Sequence, residues 1–416
     1  MYQQSQPILV SLMSSFKSSL DDKDEAKLGP LSPTSTVHST FSNKTNKSAY
    51  HIYHKREIHR TISPVIDPSK ERFWGPTIKQ IKENRAKRKL EKTLSPAKVD
   101  DEAFFLNQPY LSFHMPPAVL YSGTNRYNGT PLVLIHASAF WRKWKLQLGP
   151  SLSTPGVIDP RGVVCWKHNG GSPRDLKADD HALKGYKVRT WRLWAEHGKE
   201  YVHSIKAMRK AGGGPDPDIL DDTTHEKNNP IRADEVVWLT WTRPLSRHTR
   251  RYHFRFKGID FYWKGTGSVR ETRSCGWGVR YNHLKLVAMV PTTLKTDEVN
   301  EEELTEICLG KYTSSVAAKK CGTLELFDAP IWQLMCEHAP SLMAQVEGDM
   351  ADIEVDKTDD GTEEYENRRI AAMRRTYLYQ VIVATGMCMI QGEKEKREVI
   401  KAIVVELISG GTGATG

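Results

Sequence analysis

Very little in this chain of 416 residues announces chemistry. The six cysteines, Cys165, Cys275, Cys308, Cys321, Cys336 and Cys388, form no CxxC pair and no metal-knuckle spacing. Such scatter fits a reducing compartment, where thiols serve as small apolar side chains. GxSxG and HExxH are both missing. Gly411, Gly413 and Gly416 match GxGxxG, yet no strand precedes them and no helix follows to hold a pyrophosphate. Gly265 and Gly267 lack the Lys-Ser/Thr of a P-loop. His51, His54 and His59 lie close together without cysteine or carboxylate partners at ligand spacing. No run reaches the roughly 18 apolar residues that span a bilayer. The N-terminus shows neither the basic region nor the apolar region of a signal peptide. The expectations are therefore no enzyme, no metal, no cofactor and no transmembrane segment. The expected place is the cytoplasm, with the nucleus or a membrane periphery as alternatives.

Apolar residues are also scarce, at 38%, so part of the chain is expected not to pack. Positive charge is uneven: residues 1–100 carry +8 of the total +10. Residues 1–103, rich in Ser, Thr, Lys and Pro, read as a disordered basic tail. A short helix is possible at 76–94, where Pro76 suits a first helical position.

What is present in quantity is alternation. In YHFRFKGIDFYWK, Tyr252, Phe254 and Phe256 alternate with polar residues, the pattern breaks at Gly258, and Phe261 and Trp263 resume it. That reads as a β-hairpin with one face in a core. Further strand-like runs are Pro131–Leu148, Gly162–Trp166, Gly185–Trp194, Val236–Thr242, Leu284–Val290 and Gly322–Phe327. Ala211–Asp222 and Lys295–Glu306 read as loops, and 347–366 as a strongly acidic loop. Many short strands argue for a sandwich or a closed barrel. Arg368–Ile390 reads as a helix whose second half, YLYQVIVATGMCMI, has no polar face and must be enclosed on every side. Residues 411–416 read as a flexible glycine-rich end.

Many strands and one late apolar helix resemble the plan of the tubby C-terminal-like barrels: tubby, the LURP-one-related proteins and the phospholipid scramblases. The hairpin FRFKGIDFYWKGTGSVRE resembles a recurring strand–turn–strand of that group, and Tyr377–Ile390 resembles its threaded helix. The blocks GVVCWKH, LKGYKVRTWRLW and LGKYTSSVAAKK are similar to those of fungal members. The resemblance covers about residues 104–410. It implies a mainly β fold, a closed antiparallel β-barrel around a buried apolar C-terminal helix. The family's phosphoinositide-binding residues find no matching positions here.

The strongest candidate for binding is RPLSRHTRRYHFRFK. Arg243, Arg247, Arg250, Arg251, Arg255 and Lys257 fall in a turn and the strand leaving it. Guanidinium groups fixed on a strand suit bidentate phosphate recognition, which points to a phosphoinositide headgroup or an anionic membrane surface. The competing reading is charge compensation. Residues 184–286 carry +10 and residues 297–366 carry −15, so acidic segments are available to pair with the patch or to screen it. In the tail, Arg85, Lys87, Arg88 and Lys89 fit a nuclear-import or nucleic-acid patch. Nucleic acid is not favoured, because only Phe73 and Trp74 are near enough to offer stacking. The eleven tryptophans are expected mostly in core packing. The reading is a non-catalytic binding or adaptor module for an anionic lipid or a protein partner. The alternative is a nuclear interaction protein that works through its tail.

Overall fold

The structure is a computed structural model. It describes residues 47–55, 58–72, 102–111, 116–138, 142–187, 230–242, 251–265, 274–275, 279–280, 283–291, 304–315, 319–351 and 361–410, with a few isolated positions between them. Among these, twelve strands close an antiparallel barrel. In chain order they are β1 (Lys47–Lys55), β2 (His59–Ser63), β3 (Phe104–Asn107), β4 (Ala118–Ser122), β5 (Thr130–Ala137), β6 (Lys143–Leu148) and β7 (Glu235–Thr242). Then come β8 (Arg251–Phe256), β9 (Ile259–Lys264), β12 (Leu284–Pro291), β13 (Leu304–Ser314) and β14 (Lys320–Phe327). A separate ribbon, β10 (Ser274–Cys275) and β11 (Val279–Arg280), lies between β9 and β12 in sequence. Four longer helices follow: α1 (Asp328–His338), α2 (Pro340–Ala351), α3 (Gly361–Arg375) and α4 (Tyr377–Gly410).

The wall is a meander, each strand pairing with its sequence neighbour, and β1 seals it by pairing with both β14 and β2. Period-two alternation decides the faces. In β8 and β9 the inward set is Tyr252, Phe254, Phe256, Ile259, Phe261 and Trp263, all buried. Phe254 and Phe261 stack directly across the hairpin, their ring centroids 4.9 Å apart. Lys257 (φ 49°) and Gly258 (φ 85°) both adopt positive φ at the turn, as a two-residue hairpin of type I′ requires.

Helix α4 fills the interior. Leu378 to Ile390 are buried without interruption. The helix is met from all around the wall. Tyr50 of β1 hydrogen-bonds Tyr379 through their hydroxyls at 3.0 Å, Trp263 of β9 donates to Thr385 Oγ1 at 3.2 Å, and Tyr252 of β8 donates to Glu393 at 3.1 Å. Gly386 lies against Trp263 and Leu324, and Gly392 against Trp144. No polar stripe is needed over Leu378 to Ile390, because none of these residues meets water.

Four sequence expectations are corrected. The barrel begins at Lys47 rather than at 104. KSAYHIYHK alternates well enough to turn Ser48, Tyr50 and Ile52 inward, but it is embedded in a basic, serine-rich stretch. The helix expected over Arg368–Ile390 is two helices that meet at Thr376. The Thr376 hydroxyl donates to the Met373 carbonyl at 2.7 Å and accepts the Tyr379 N–H at 3.4 Å, which caps α4 and ends α3. The acidic segment 347–366 is not wholly loop: its first residues end α2 and its last begin α3. Finally, Gly162–Trp166 and the described part of Gly185–Trp194 make only isolated bridges. Their apolar residues cover the outside of the wall instead. Val164 and Leu183 join Phe105, Val119, Tyr121 and Leu134 in a second core, beside a buried Asp159–Arg161 ion pair at 2.7 Å.

Of the tryptophans, Trp144, Trp241 and Trp263 are buried in the barrel core, whereas Trp238 faces outward at 44% exposure and donates to Asp180 at 3.1 Å. The expected helix at 76–94, the loop at 211–222 and the end at 411–416 lie essentially outside the described residues.

Candidate functional site

The inward aromatics of β8 and β9 force the residues between them outward. Arg251, His253 and Arg255 of β8 stand opposite Lys264, Tyr262 and Asp260 of β9. The register continues across the sheet: Lys264 pairs with Lys285 of β12, and Lys285 with Lys311 of β13. Arg251, Lys264, Lys285 and Lys311 therefore form one transverse row over four adjacent strands. At about 4.8 Å per strand the row spans roughly 14 Å.

Like charges directly opposite one another destabilise a sheet. Two carboxylates offset that cost. Glu306 bridges Lys264 and Lys285, the latter at 2.7 Å, and Glu325 lies 3.6 Å from Lys311 and 3.2 Å from Lys47. Burial alone would raise the Glu306 pKa. The hydrogen bonds from Lys264 and Lys285 outweigh it and hold the carboxyl below its ordinary value. Both carboxylates come from the acidic half of the domain, so compensation is real. Among the described residues of this wall and its edges, Lys47, Arg251, Arg255, Lys257, Lys264, Lys285 and Lys311 face Glu235, Asp260, Glu306 and Glu325, seven cations against four carboxylates.

The sequence-predicted residues are placed unequally. Arg251 caps the row, its guanidinium 5.2 Å from the Tyr262 ring centroid. Arg255 lies further along β8 with Nε 3.4 Å from the Gly258 carbonyl, opposite Asp260. Lys257 is in the turn at the far end of the strand and pairs with Glu235. These three do not converge on one point. Arg243, Arg247 and Arg250 lie outside the described residues, in the connection that runs into Arg251, as do Arg85, Lys87, Arg88 and Lys89. Lys264, Lys285 and Lys311 are not among the residues that the sequence singles out. Each occupies an outward position of a strand, and a period-two reading of three separate segments would have shown that much, but only the register aligns them.

A second polar centre lies at the end of the barrel where α4 enters. Asp328, first residue of α1, is buried and accepts hydrogen bonds from Ser48 at 2.9 and 2.8 Å. Arg374 donates to Ser48 at 3.0 Å and to Glu102 at 3.1 Å. Desolvation pushes the Asp328 carboxyl up to about 6, against the opposing pull of Ser48 and Arg374. A cavity of about 180 Å³ adjoins it, lined by Asp328, Ala329, Trp332, Glu366, Arg369, Ile370 and Met373. Its charged lining is satisfied internally: Arg369 pairs with Glu366 at 3.1 Å and covers the Trp332 ring at 4.9 Å.

Of the three histidines near the N-terminus, His51 lies 3.2 Å from Lys320 Nζ, His54 lies 3.2 Å from Cys321 Sγ, and His59 accepts the Gln108 N–H at 3.2 Å. Among the described residues no three metal-ligating side chains come together. No described helix is long and apolar enough to cross a membrane.

No protein-family description, no curated protein and no solved structure matches this chain.

Proposed function

We propose that the chain is a non-catalytic binding module of the tubby-like barrel type, and that its basic outer wall receives an anionic membrane surface, with a phosphoinositide headgroup as the preferred ligand. The transverse row Arg251–Lys264–Lys285–Lys311 carries this reading. Cations fixed on a closed barrel need no ordering when a phosphate arrives, so little affinity is lost to side-chain entropy. Arginine at the end of the row supplies a planar fork for a phosphate, and the lysines supply point charges behind it. The enclosed apolar helix and the closed antiparallel wall support the family assignment. The residues that carry the nuclear alternative, Arg85, Lys87, Arg88 and Lys89, lie outside the described residues.

Liposome flotation tests the reading. Vesicles of neutral lipid, neutral lipid with phosphatidylserine, and neutral lipid with a phosphoinositide are compared at physiological salt. Wild type is expected to float with the anionic vesicles, most strongly with the phosphoinositide. A charged side chain near an anionic surface contributes about 1 kcal/mol, so R251A/K264A/K311A should weaken binding roughly a hundredfold. Equal recovery of wild type and triple variant would reject the wall as the binding face.

A further inference from the structure

The rim where α4 leaves the barrel gathers groups that the basic wall does not use. β1 turns His54 to the same side as Tyr50 and Ile52, and β2 turns Arg60 to the same side as Ile62. His54 and Arg60 stand directly opposite each other. Arg60 is only 2% exposed, and its Nε and Nη1 have no hydrogen-bond partner. Against them lies Cys321. Ile52 pairs with Gly322 and Tyr53 with Lys320, so Cys321 is the extra residue of a bulge in β14. Its sulfur is 3.2 Å from His54 Nε2, and the residue is half-buried rather than sealed. From α4 comes Lys394. Burial first, then the charges of Arg60 and Lys394, hold the His54 pKa down at about 4, so its imidazole is neutral at physiological pH.

Three other polar groups described near this rim have partners of their own. Glu393 accepts from Tyr252 at 3.1 Å, Lys320 pairs with Glu71 at 2.7 Å, and the Tyr312 hydroxyl donates to the Cys321 carbonyl at 2.7 Å. The rim therefore combines a soft nucleophile, a neutral imidazole touching it, and two cations. Two N–H groups of the buried Arg60 guanidinium lack acceptors, which is costly.

We propose that Cys321 is a covalent modification site: a thiol made reactive by His54 and selective, through Arg60 and Lys394, for small anionic electrophiles. The thiol proton passes to solvent, because His54 is held neutral, and the Nε2–H of that neutral imidazole, donated to the sulfur, stabilises the remaining thiolate together with the cations. The sulfur electron pair then forms a bond to the electrophilic carbon while the leaving group departs with its own bonding pair. With iodoacetate, an S–C bond forms, the C–I bond breaks and iodide leaves. The reagent's carboxylate supplies the acceptor that Arg60 lacks.

The test uses the full chain and two reagents of similar size, anionic iodoacetate and neutral iodoacetamide, with site-resolved rates from peptide mass spectrometry. Cys336, exposed on α1 beside Glu337, is the internal reference, and fully buried Cys388 reports whether the barrel is intact. The iodoacetate-to-iodoacetamide rate ratio at Cys321 is expected to exceed that at Cys336 by at least about threefold, the scale of one nearby unscreened charge. Lys394→Gln should lower the ratio at Cys321 while Cys388 stays protected. His54→Gln should slow both reagents there and leave the ratio unchanged. A Cys321 ratio no higher than that of Cys336, in wild type alone, overturns the proposal. So does a ratio that Lys394→Gln does not move.

Discussion

Gly386 sits in the middle of α4, inside the barrel, where a glycine has no turn or positive φ to justify it. A Cβ built there would lie 3.5 Å from Trp263 Cζ2 and 3.7 Å from Leu324 Cδ2, ordinary contact distances. Gly386→Ala therefore fills space without displacing anything. Replacing glycine by alanine in a helix interior is worth about 1 kcal/mol, and a newly buried methyl contributes about 0.8 kcal/mol. The variant should be more stable than wild type by about 1–2 kcal/mol. Gly392, two turns on, is the control. There a Cβ would meet Tyr252 Oη at 3.0 Å and Trp144 Cη2 at 3.1 Å, and Tyr252 is already tied to Glu393. Gly392→Ala gains the same propensity but has to move two ordered rings, so no net gain is expected, and a loss of about 1 kcal/mol fits the usual range for overpacking. Urea unfolding with an unchanged m value measures both. If Gly386→Ala is destabilised by 1 kcal/mol or more, the helix does not run past Trp263 and Leu324 as described, and the enclosed-helix architecture is wrong in register or in kind.

Two further perturbations probe the same interior. Thr385→Val removes the acceptor of the buried Trp263 N–H while keeping the side chain's shape, and should cost about 1–3 kcal/mol in urea unfolding; Thr385→Ser, which keeps the acceptor, should recover part of that, and equal stability of Thr385→Val and wild type would refute the contact. Asp328 predicts a pH effect of definite sign. Its folded pKa, about 6, lies above the unfolded value near 4, so the native state binds the proton more tightly. The stability it contributes is complete below the unfolded pKa and is lost as pH rises from about 4 through about 6. Asp67, Glu71 and Glu306 are shifted the other way and lose their contribution as pH falls, so the comparison has to be wild type against Asp328→Asn. The variant should gain on wild type between about pH 4 and about pH 6, and parallel unfolding midpoints across that window would contradict the shift.

The enclosed helix was legible because its sequence leaves no alternative. A run such as YLYQVIVATGMCMI has no face for water and is too short to span a bilayer, so it belongs inside something. The β8–β9 hairpin was legible for a related reason, since alternating aromatics around a glycine turn have one stable arrangement. Other parts were hidden by physics that operates only at a distance. Lys47–Ser63 is two good strands in poor company, and nothing local says that its partner is β14. Val164 and Leu183 are as apolar as strand residues, yet they serve as a cover over β3 to β5, a use that burial permits and periodicity does not distinguish. Thr376 could sit within a helix or cap one, and the crowding of Arg374 between Ser48 and Glu102 accompanies the second choice. The basic wall divides in the same way. Arg251 was visible beside its neighbours in sequence, whereas Lys264, Lys285 and Lys311 become its neighbours only through the register of three strand pairs. His54, Arg60 and Cys321 are further still from being read in advance, because the bulge that aims the sulfur exists only once β1 meets β14.

That last seam also orders events during synthesis. β1 must find β14 across some 270 intervening residues, and α4 is translated after every strand that will surround it. Until α4 is made, a partly folded chain has inward apolar strand faces with no helix to enclose. Contacts so remote in sequence assemble slowly and leave unfinished edges available to other chains. Cells producing this protein would be expected to shelter that intermediate, and a version in which the terminal helix is supplied separately would show whether the half-built cylinder can wait for its axle.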